Sequence, residues 1–350
     1  MIDSQAVLDA LKPVKDAERK QGLVEAGKVR DIAIDGRNIA FTLALTTSTG
    51  MVKDLIVEDC KKAVMALEGV DTVEIEVVAI PKPLPSPQGI EDVQNIIAIS
   101  SGKGGVGKSS VAVNVAIALA QSGAKVGLLD ADIYGPNVPN MMGVGEVELK
   151  VDKSGGQDVL QPEFNHGVKF VSMAFLIDPD QPVMWRGPMI NSMVRQFLYQ
   201  VNWGELDYLL VDMPPGTGDA QLTMAQAVPM AGAIIVTTPQ TVSLLDSRRG
   251  LKMFQQMGVN LLGIVENMSY FIPPDMPEKQ YDLFGSGGGE KTAKELDVPL
   301  LGCVPLEIAL REGGDNGQPI VVAQPESASA KALVSIAEAI AAKVSVVAVA

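Results

Sequence analysis

An α/β fold is expected: a doubly wound, mostly parallel sheet with a small N-terminal α+β domain. Three observations on the 350-residue chain predict it. From Asn95 onwards, short apolar runs alternate with helical segments, the pattern of strands covered on both faces by crossover helices. The first of these runs leads through a glycine-rich loop, Gly102-Lys103-Gly104-Gly105-Val106-Gly107-Lys108-Ser109, into an apolar helical stretch. Ahead of it, Pro81-Lys82-Pro83-Leu84-Pro85-Ser86-Pro87-Gln88-Gly89 breaks every regular pattern and reads as a semi-rigid linker. The expected division is therefore a domain over 1–80, a linker over 81–93, a large domain over 94–344 and a tail over 345–350.

In the small domain, Ser4 caps a helix whose Val7, Leu8, Leu11 and Val14 form an apolar stripe. Lys28 to Ile34 and Asn38 to Leu45 read as a hairpin turned by Asp35-Gly36-Arg37. A helix from Met51 to Leu67 and a strand from Val73 to Ile80 complete the unit. Cys60, inside that helix, is expected to be a small core residue rather than a reactive thiol.

Asn95-Ile96-Ile97-Ala98-Ile99-Ser100 is a buried strand, and the stretch from Ser110 to Ala120 is a helix ending at Gly123. The loop between them fits G-x-x-x-x-G-K-[ST] in the strand–loop–helix context that the pattern requires. Backbone N–H groups and a helix N-terminus then converge on phosphate oxygens, and glycine lets the backbone come close. Gly102 to Ser110 are expected to hold a nucleoside triphosphate. Lys108 would reach the β- and γ-phosphates, and the Ser109 hydroxyl would ligate Mg²⁺.

Lys125 to Leu129 is a strand running into Asp130-Ala131-Asp132, where parallel sheets bind ligands. Asp132 is placed either to orient an attacking water or to cap the next turn. Asp130 is placed either to act through the Mg²⁺ shell or to cap the next turn. Residues 144–165 read as a polar excursion with weak strands, and His166 as a solvated turn residue before a strand from Val168 to Phe175. Trp185-Arg186-Gly187-Pro188 opens a helix through Phe197; Arg186 is either solvated or meets a phosphate or partner.

Leu206 to Asp212 is an apolar strand ending in a carboxylate, the Walker B arrangement that holds Mg²⁺. Gly216 follows on the next loop, where its N–H would sense the γ-phosphate. Further strands are expected from Ala233 to Pro239 and from Leu261 to Met268, with Asn267 reading the adenine edge. Between them lies a helix from Ser243 to Met257, with Asp246, Arg248, Arg249 and Lys252 on its wet face. Leu300 to Pro305, with Cys303 in the core, is the last strand, and Ser327 to Val344 the last helix.

The net charge of −14 would repel a phosphate backbone, which excludes non-specific nucleic-acid binding. No apolar run is long enough for a bilayer, so no membrane partner is expected. Met1-Ile2-Asp3-Ser4-Gln5 leads into a charged helix rather than a secretory leader, and two cysteines make no disulfide framework. A cytoplasmic protein is expected.

Lys103 is a second lysine that ordinary phosphate loops lack. With it, the loop resembles those of the deviant Walker A ATPases, the group of MinD, ParA, nitrogenase iron protein and the Mrp/ApbC proteins. The resemblance implies that Lys103 reaches across a homodimer to the partner's nucleotide, acting in catalysis with Lys108 and Asp132. Asp130-Ala131-Asp132-Ile133-Tyr134-Gly135-Pro136-Asn137, Asp212-Met213-Pro214-Pro215-Gly216-Thr217-Gly218-Asp219 and Glu266-Asn267-Met268-Ser269-Tyr270-Phe271 look specifically like Mrp/ApbC. The N-terminal unit looks like the small domain that many of these share with iron–sulfur assembly factors. What this implies is an ATP-hydrolysing carrier that takes an iron–sulfur cluster to apo-proteins or works with an assembly scaffold. The sequence departs from the family at one point. Where a Cys-x-x-Cys pair usually follows, this chain has Ile272-Pro273-Pro274-Asp275-Met276-Pro277-Glu278, and Thr49-Gly50-Met51 stands where the small domain often has a cysteine. Carboxylate and Met are poor substitutes for thiolate on iron, so the cysteine content does not support a bound cluster. The alternative is a spatial or regulatory switch like MinD or ParA. It lacks the basic amphipathic end or basic patch that membrane or DNA attachment requires.

Overall fold

The computed structural model describes residues 4–14, 22–24, 29–45, 50–67, 69–79, 90, 92–145, 147, 149–152, 159–176, 187–218, 221–222, 225–226, 230–276 and 278–347. Most of the linker, Thr49, Trp185, Arg186, Pro277, Asp219 and the end of the tail lie outside these residues. The chain divides into two compact units, Met1–Pro85 with Ala341–Ala350, and Ser86–Ile340.

In the first unit, helix α1 (Ser4–Leu11) buries Val7 and Leu11. Strands β1 (Val29–Asp35) and β2 (Asn38–Leu45) pair antiparallel, and Gly36 takes φ 63 in the tight turn between them. Helix α2 (Gly50–Met65) then crosses over, so that β3 (Thr72–Ala79) lies parallel to β2 in the order β1-β2-β3. Ile56, Cys60 and Val64 recur every four residues along α2 and are buried, one helical stripe facing the sheet side.

The second unit is built on an eight-stranded sheet of order β13-β12-β11-β4-β10-β5-β9-β8. Its members are β4 (Val93–Ser101), β5 (Val126–Asp130), β8 (Glu163–Asn165), β9 (Val168–Ser172), β10 (Leu206–Asp212), β11 (Gly232–Thr237), β12 (Leu261–Phe271) and β13 (Leu300–Leu306). All neighbours are parallel except β8, which pairs antiparallel with β9. A short separate pair, β6 (Val151–Asp152) and β7 (Val159–Leu160), forms the weak-stranded excursion. One sheet face carries Ile96, Ala98, Leu209, Val211, Ile235 and Ile264, packed with Phe197 of α5 (Gly187–Tyr199), Phe254 of α6 (Thr241–Gln256) and Ala293 of α7 (Gly288–Leu296). Helix α3 (Lys108–Gln121) is almost wholly buried beside β4, β5 and β10. Four central strands, β4, β5, β10 and β11, are buried along most of their length, which explains their predominantly apolar sequences. Because the chain winds away from β4 in both directions, a crevice opens at the C-terminal ends of β4 and β10.

Several expectations are corrected. β9 stops at Ser172, not Phe175, because the Ser172 hydroxyl accepts the Ala174 N–H at 3.0 Å and turns the chain into a 3₁₀ helix, Met173–Leu176. β12 runs past Met268 to Phe271; Met268 bends the strand with φ 54, and Phe271 exchanges backbone bonds with Tyr281. His166 is not simply solvated, since its Nε2 is enclosed without a partner among the described residues. Cys303 is half-buried rather than core. Short helices α4 (Val138–Met141), α8 (Ile308–Asp315) and α9 (Ile320–Ala323) were not anticipated, and neither was α7. The last helix, α10, spans Ala328–Val347.

Candidate functional site

The phosphate loop spans the crevice end of β4 and the first turn of α3. Gly107, with φ 80, is the N-cap of α3 and offers no side-chain cap, so the first-turn N–H groups are left for a ligand. Glycine is required here for a second reason. A Cβ on Gly107 would lie 2.2 Å from Nδ2 of Asn267, which donates to the Val106 carbonyl at 2.8 Å. At Gly105, also at positive φ, a Cβ would meet nothing, so this glycine serves the backbone conformation and not packing. The loop from Lys103 to Ser110 walls a cleft of about 340 Å³, faced by Asp132, Tyr134, Asn137 and Pro215.

At the base of the cleft, Lys108 Nζ lies 2.6 Å from Asp212 Oδ1 and 3.5 Å from Asp132 Oδ2. The Ser109 hydroxyl donates to Asp212 Oδ2 at 2.5 Å. Burial opposes the Lys108 charge, but Asp212, Asp132 and Asp130 outweigh it and raise its pKa. Burial raises the pKa of Asp132, an effect that Lys108 opposes and Asp212 reinforces. The register explains the crowding. Asp130 and Asp212 are direct partners on β5 and β10, and both strands end at the crevice.

Asp130 is committed elsewhere. Its Oδ1 accepts the Asp132 N–H at 3.2 Å, and its Oδ2 accepts the Val138 N–H at 3.2 Å and the Ser172 hydroxyl at 2.7 Å. Burial, then the nearby Asp212, pushes its pKa up to about 7. It therefore supports the start of α4 and the segment carrying Asp132. Asn267 sits against the loop, its Nδ2 spent on Val106 and its Oδ1 buried without a partner among the described residues. The Gly216 N–H donates to the Ser101 carbonyl at 2.9 Å. Lys103 Nζ lies 3.3 Å from Gln240 Oε1 at the start of α6, half-exposed on the cleft rim.

The structure thus brings together Lys108, Ser109, Asp132 and Asp212, and sets Lys103 and Asn267 at the loop's two sides. Ser172 and Gln221 were missed by sequence reasoning. Ser172 meets Asp130 through cross-strand register, Gln221 meets Ser100 and Pro214 from beyond a loop, and neither relation leaves a spacing signal.

Comparison with known proteins agrees with this geometry. Residues 92–341 match the family described as NUBPL iron-transfer P-loop NTPase, and residues 4–77 match a family described as iron-sulfur cluster assembly protein. The chain belongs to the NUBPL iron-transfer P-loop NTPase family. It is 69% identical to the iron-sulfur cluster carrier protein of Synechocystis over 99% of both chains. It is also 48% identical to the iron-sulfur cluster transfer protein NUBPL of Mus musculus, over 73% of this chain and 79% of that one. A nucleotide-binding protein of Archaeoglobus fulgidus, solved in complex with ADP, superposes with a TM-score of 0.60 at 37% identity. That match covers 69% of this chain and 92% of the other. The family is the one the sequence motifs resemble, and the P-loop NTPase fold is the one expected. Among the described residues, no helix is long and apolar enough to cross a membrane.

Proposed function

We propose that this chain binds and hydrolyses Mg·ATP as a nucleotide-sandwich dimer and uses that cycle to deliver iron–sulfur clusters to apo-proteins in the cytoplasm. The observation that carries the reading is the group Lys108, Ser109 and Asp212 beneath an uncapped helix start, in a chain whose relatives are named for cluster transfer. Phosphate oxygens would take the place of Asp212 beside Lys108, exchanging one anion for another around a buried cation. The Ser109 hydroxyl and the Asp212 carboxylate are hard oxygen donors within one hydrogen bond of each other, which suits Mg²⁺. Ser109 and Asp212 would hold Mg²⁺ there, and the ion would supply positive charge against the triphosphate. Asp130 would act one step behind, through the carboxylates it adjoins. Asp132 would hold the attacking water, and the free Oδ1 of Asn267 would accept from the adenine amino group.

Tyr134, 74% exposed on the cleft, and Val242 and Leu245 on the first turns of α6 give an apolar surface for a second copy. Lys103, on the cleft rim beside Gln240, would reach the partner's nucleotide. The cluster is cargo, and the chain's thiols are poorly suited to hold it. Burial, reinforced by Asp59, pushes Cys60 up to about 12, while burial and Glu266 raise Cys303, so both are held as protonated thiols. Among the described residues, no three of His, Cys, Asp or Glu come together as metal ligands. The thiolates in the transfer would then belong to client or scaffold.

Two measurements test this. Lys108→Ala should lose Mg·ATP binding and turnover, and hydrolysis that survives the change means the phosphate loop does something else. Anaerobic reconstitution with iron and sulfide should leave the purified chain colourless, while ATP speeds transfer from a loaded scaffold to an apo-client. A stable brown chromophore on the chain alone would overturn the assignment of the thiolates to its partners.

A further inference from the structure

Gln221 is 1% exposed and stands behind the loop that follows Asp212. Its Nε2 donates to the Ser100 hydroxyl and, at 2.9 Å, to the Pro214 carbonyl. A carbonyl only accepts, so the Pro214 contact fixes which end of the carboxamide is nitrogen. The two acceptors belong to the two segments that meet at the nucleotide. Ser100 is next to last in β4, just before the phosphate loop, and Pro214 lies just beyond the metal-side carboxylate Asp212. Two main-chain bonds tie the same segments: Met213 N–H to the Ile99 carbonyl and Gly216 N–H to the Ser101 carbonyl, each 2.9 Å.

These ties respond differently to a change in the loop. A Gly216 N–H that turns toward a γ-phosphate must leave Ser101. The Gln221 bond engages Pro214 from a side chain and does not depend on that peptide. Oε1 of the same amide is buried without a partner among the described residues, so the amide's described contacts are made by its nitrogen.

We propose that Gln221 is a positioning residue. It pins Pro214 to the end of β4, so that the loop from Asp212 to Gly216 pivots about a fixed point as Gly216 exchanges Ser101 for phosphate. The inference rests on the ATP-hydrolysis reading above and adds the element that keeps the loop in register with the phosphate loop. Its consequence is specific. Nucleotide grip comes from the phosphate loop and should survive loss of the pin, whereas alignment in the transition state should not.

The test is Gln221→Met, which keeps length and volume and removes the donor. Turnover should fall by about tenfold or more, since a misplacement of about an ångström can cost on the order of a hundredfold. The dissociation constant for Mg·ATP should change by less than about threefold. Ser100→Ala, which removes one of the two acceptors, should give a smaller loss in the same direction. Hydrogen exchange of the amides in 213–218, measured without nucleotide, should be faster in Gln221→Met. Turnover within about twofold of wild type, or turnover and affinity falling together with the melting temperature, would overturn the positioning role. Wild-type protein that never hydrolyses ATP sinks the hydrolytic reading instead, and unchanged exchange in 213–218 then sinks the pin independently.

Discussion

Cys60 shows how one position converts packing into chemistry. It is fully buried between Ile56 and Val64 on α2, and its thiol holds its proton from the ordinary value of 9.0 up to about 12. Iodoacetamide at pH 8 should therefore leave it unmodified in the native protein and alkylate it once urea unfolds the chain. The sign of the pH effect follows. An unfolded chain releases the thiol proton from about 9 while the folded one keeps it to about 12, so stability is lost as pH rises through that window. Cys60→Ala, with nothing to titrate, should give a flatter unfolding midpoint over the same range, and an equally steep profile would refute the assignment. Gly107 makes the second case. Its φ of 80 strains any residue with a Cβ, and the Asn267 amide, 2.2 Å from that Cβ, would have to shift off the Val106 carbonyl. Gly107→Ala should cost both Mg·ATP affinity and stability, read by calorimetry on one sample.

At the scale of elements, Gly102 fixes how closely α6 approaches the end of β4. A Cβ there would sit 2.3 Å from the Asp246 carbonyl carbon and from the Ser247 nitrogen, and backbone atoms cannot move aside as a side chain can. Gly102→Ala should destabilise the protein by about 3 kcal/mol, the upper end for overpacking, measurable by urea denaturation. A change below about 0.5 kcal/mol, the scatter of neutral surface substitutions, would show that the helix shifts freely. This glycine was legible as part of a motif, and its partner was not. The motif reports the ligand, whereas α6 arrives from far along the chain. The elements most readable beforehand were β4, β5, β10, β11 and α3, largely buried and mostly apolar. The least readable were α4, α8 and α9, only four to eight residues long, whose start and stop depend on neighbours rather than on a periodic stripe.

At the scale of the whole molecule, charge sets the terms of association. Each copy carries −14, so two copies repel at long range while Lys103 and the rim of Tyr134, Val242 and Leu245 would attract at short range. Raising salt shortens the screening length from about 10 Å at 0.1 M to about 3 Å at 1 M, which weakens the repulsion and spares apolar contact. Light scattering with Mg·ATP should therefore show a dimer that tightens with salt, and Lys103→Ala should weaken it at every salt concentration. A dimer that loosens as salt rises would mean that surface ion pairs hold it.

The amino-acid sequence by itself determined the alternation of strand and helix, the phosphate loop and the two carboxylate-ending strands. Each of these is written in neighbouring residues, through period, glycine spacing and a charge after an apolar run. Only the tertiary structure decided that Asp130 is consumed by Ser172 and Val138, that Asn267 braces Val106, and that Gln221 ties Pro214 to Ser100. Those pairings join strands, helices and loops whose register is set by packing of the whole sheet, and packing of that range leaves no mark on local spacing.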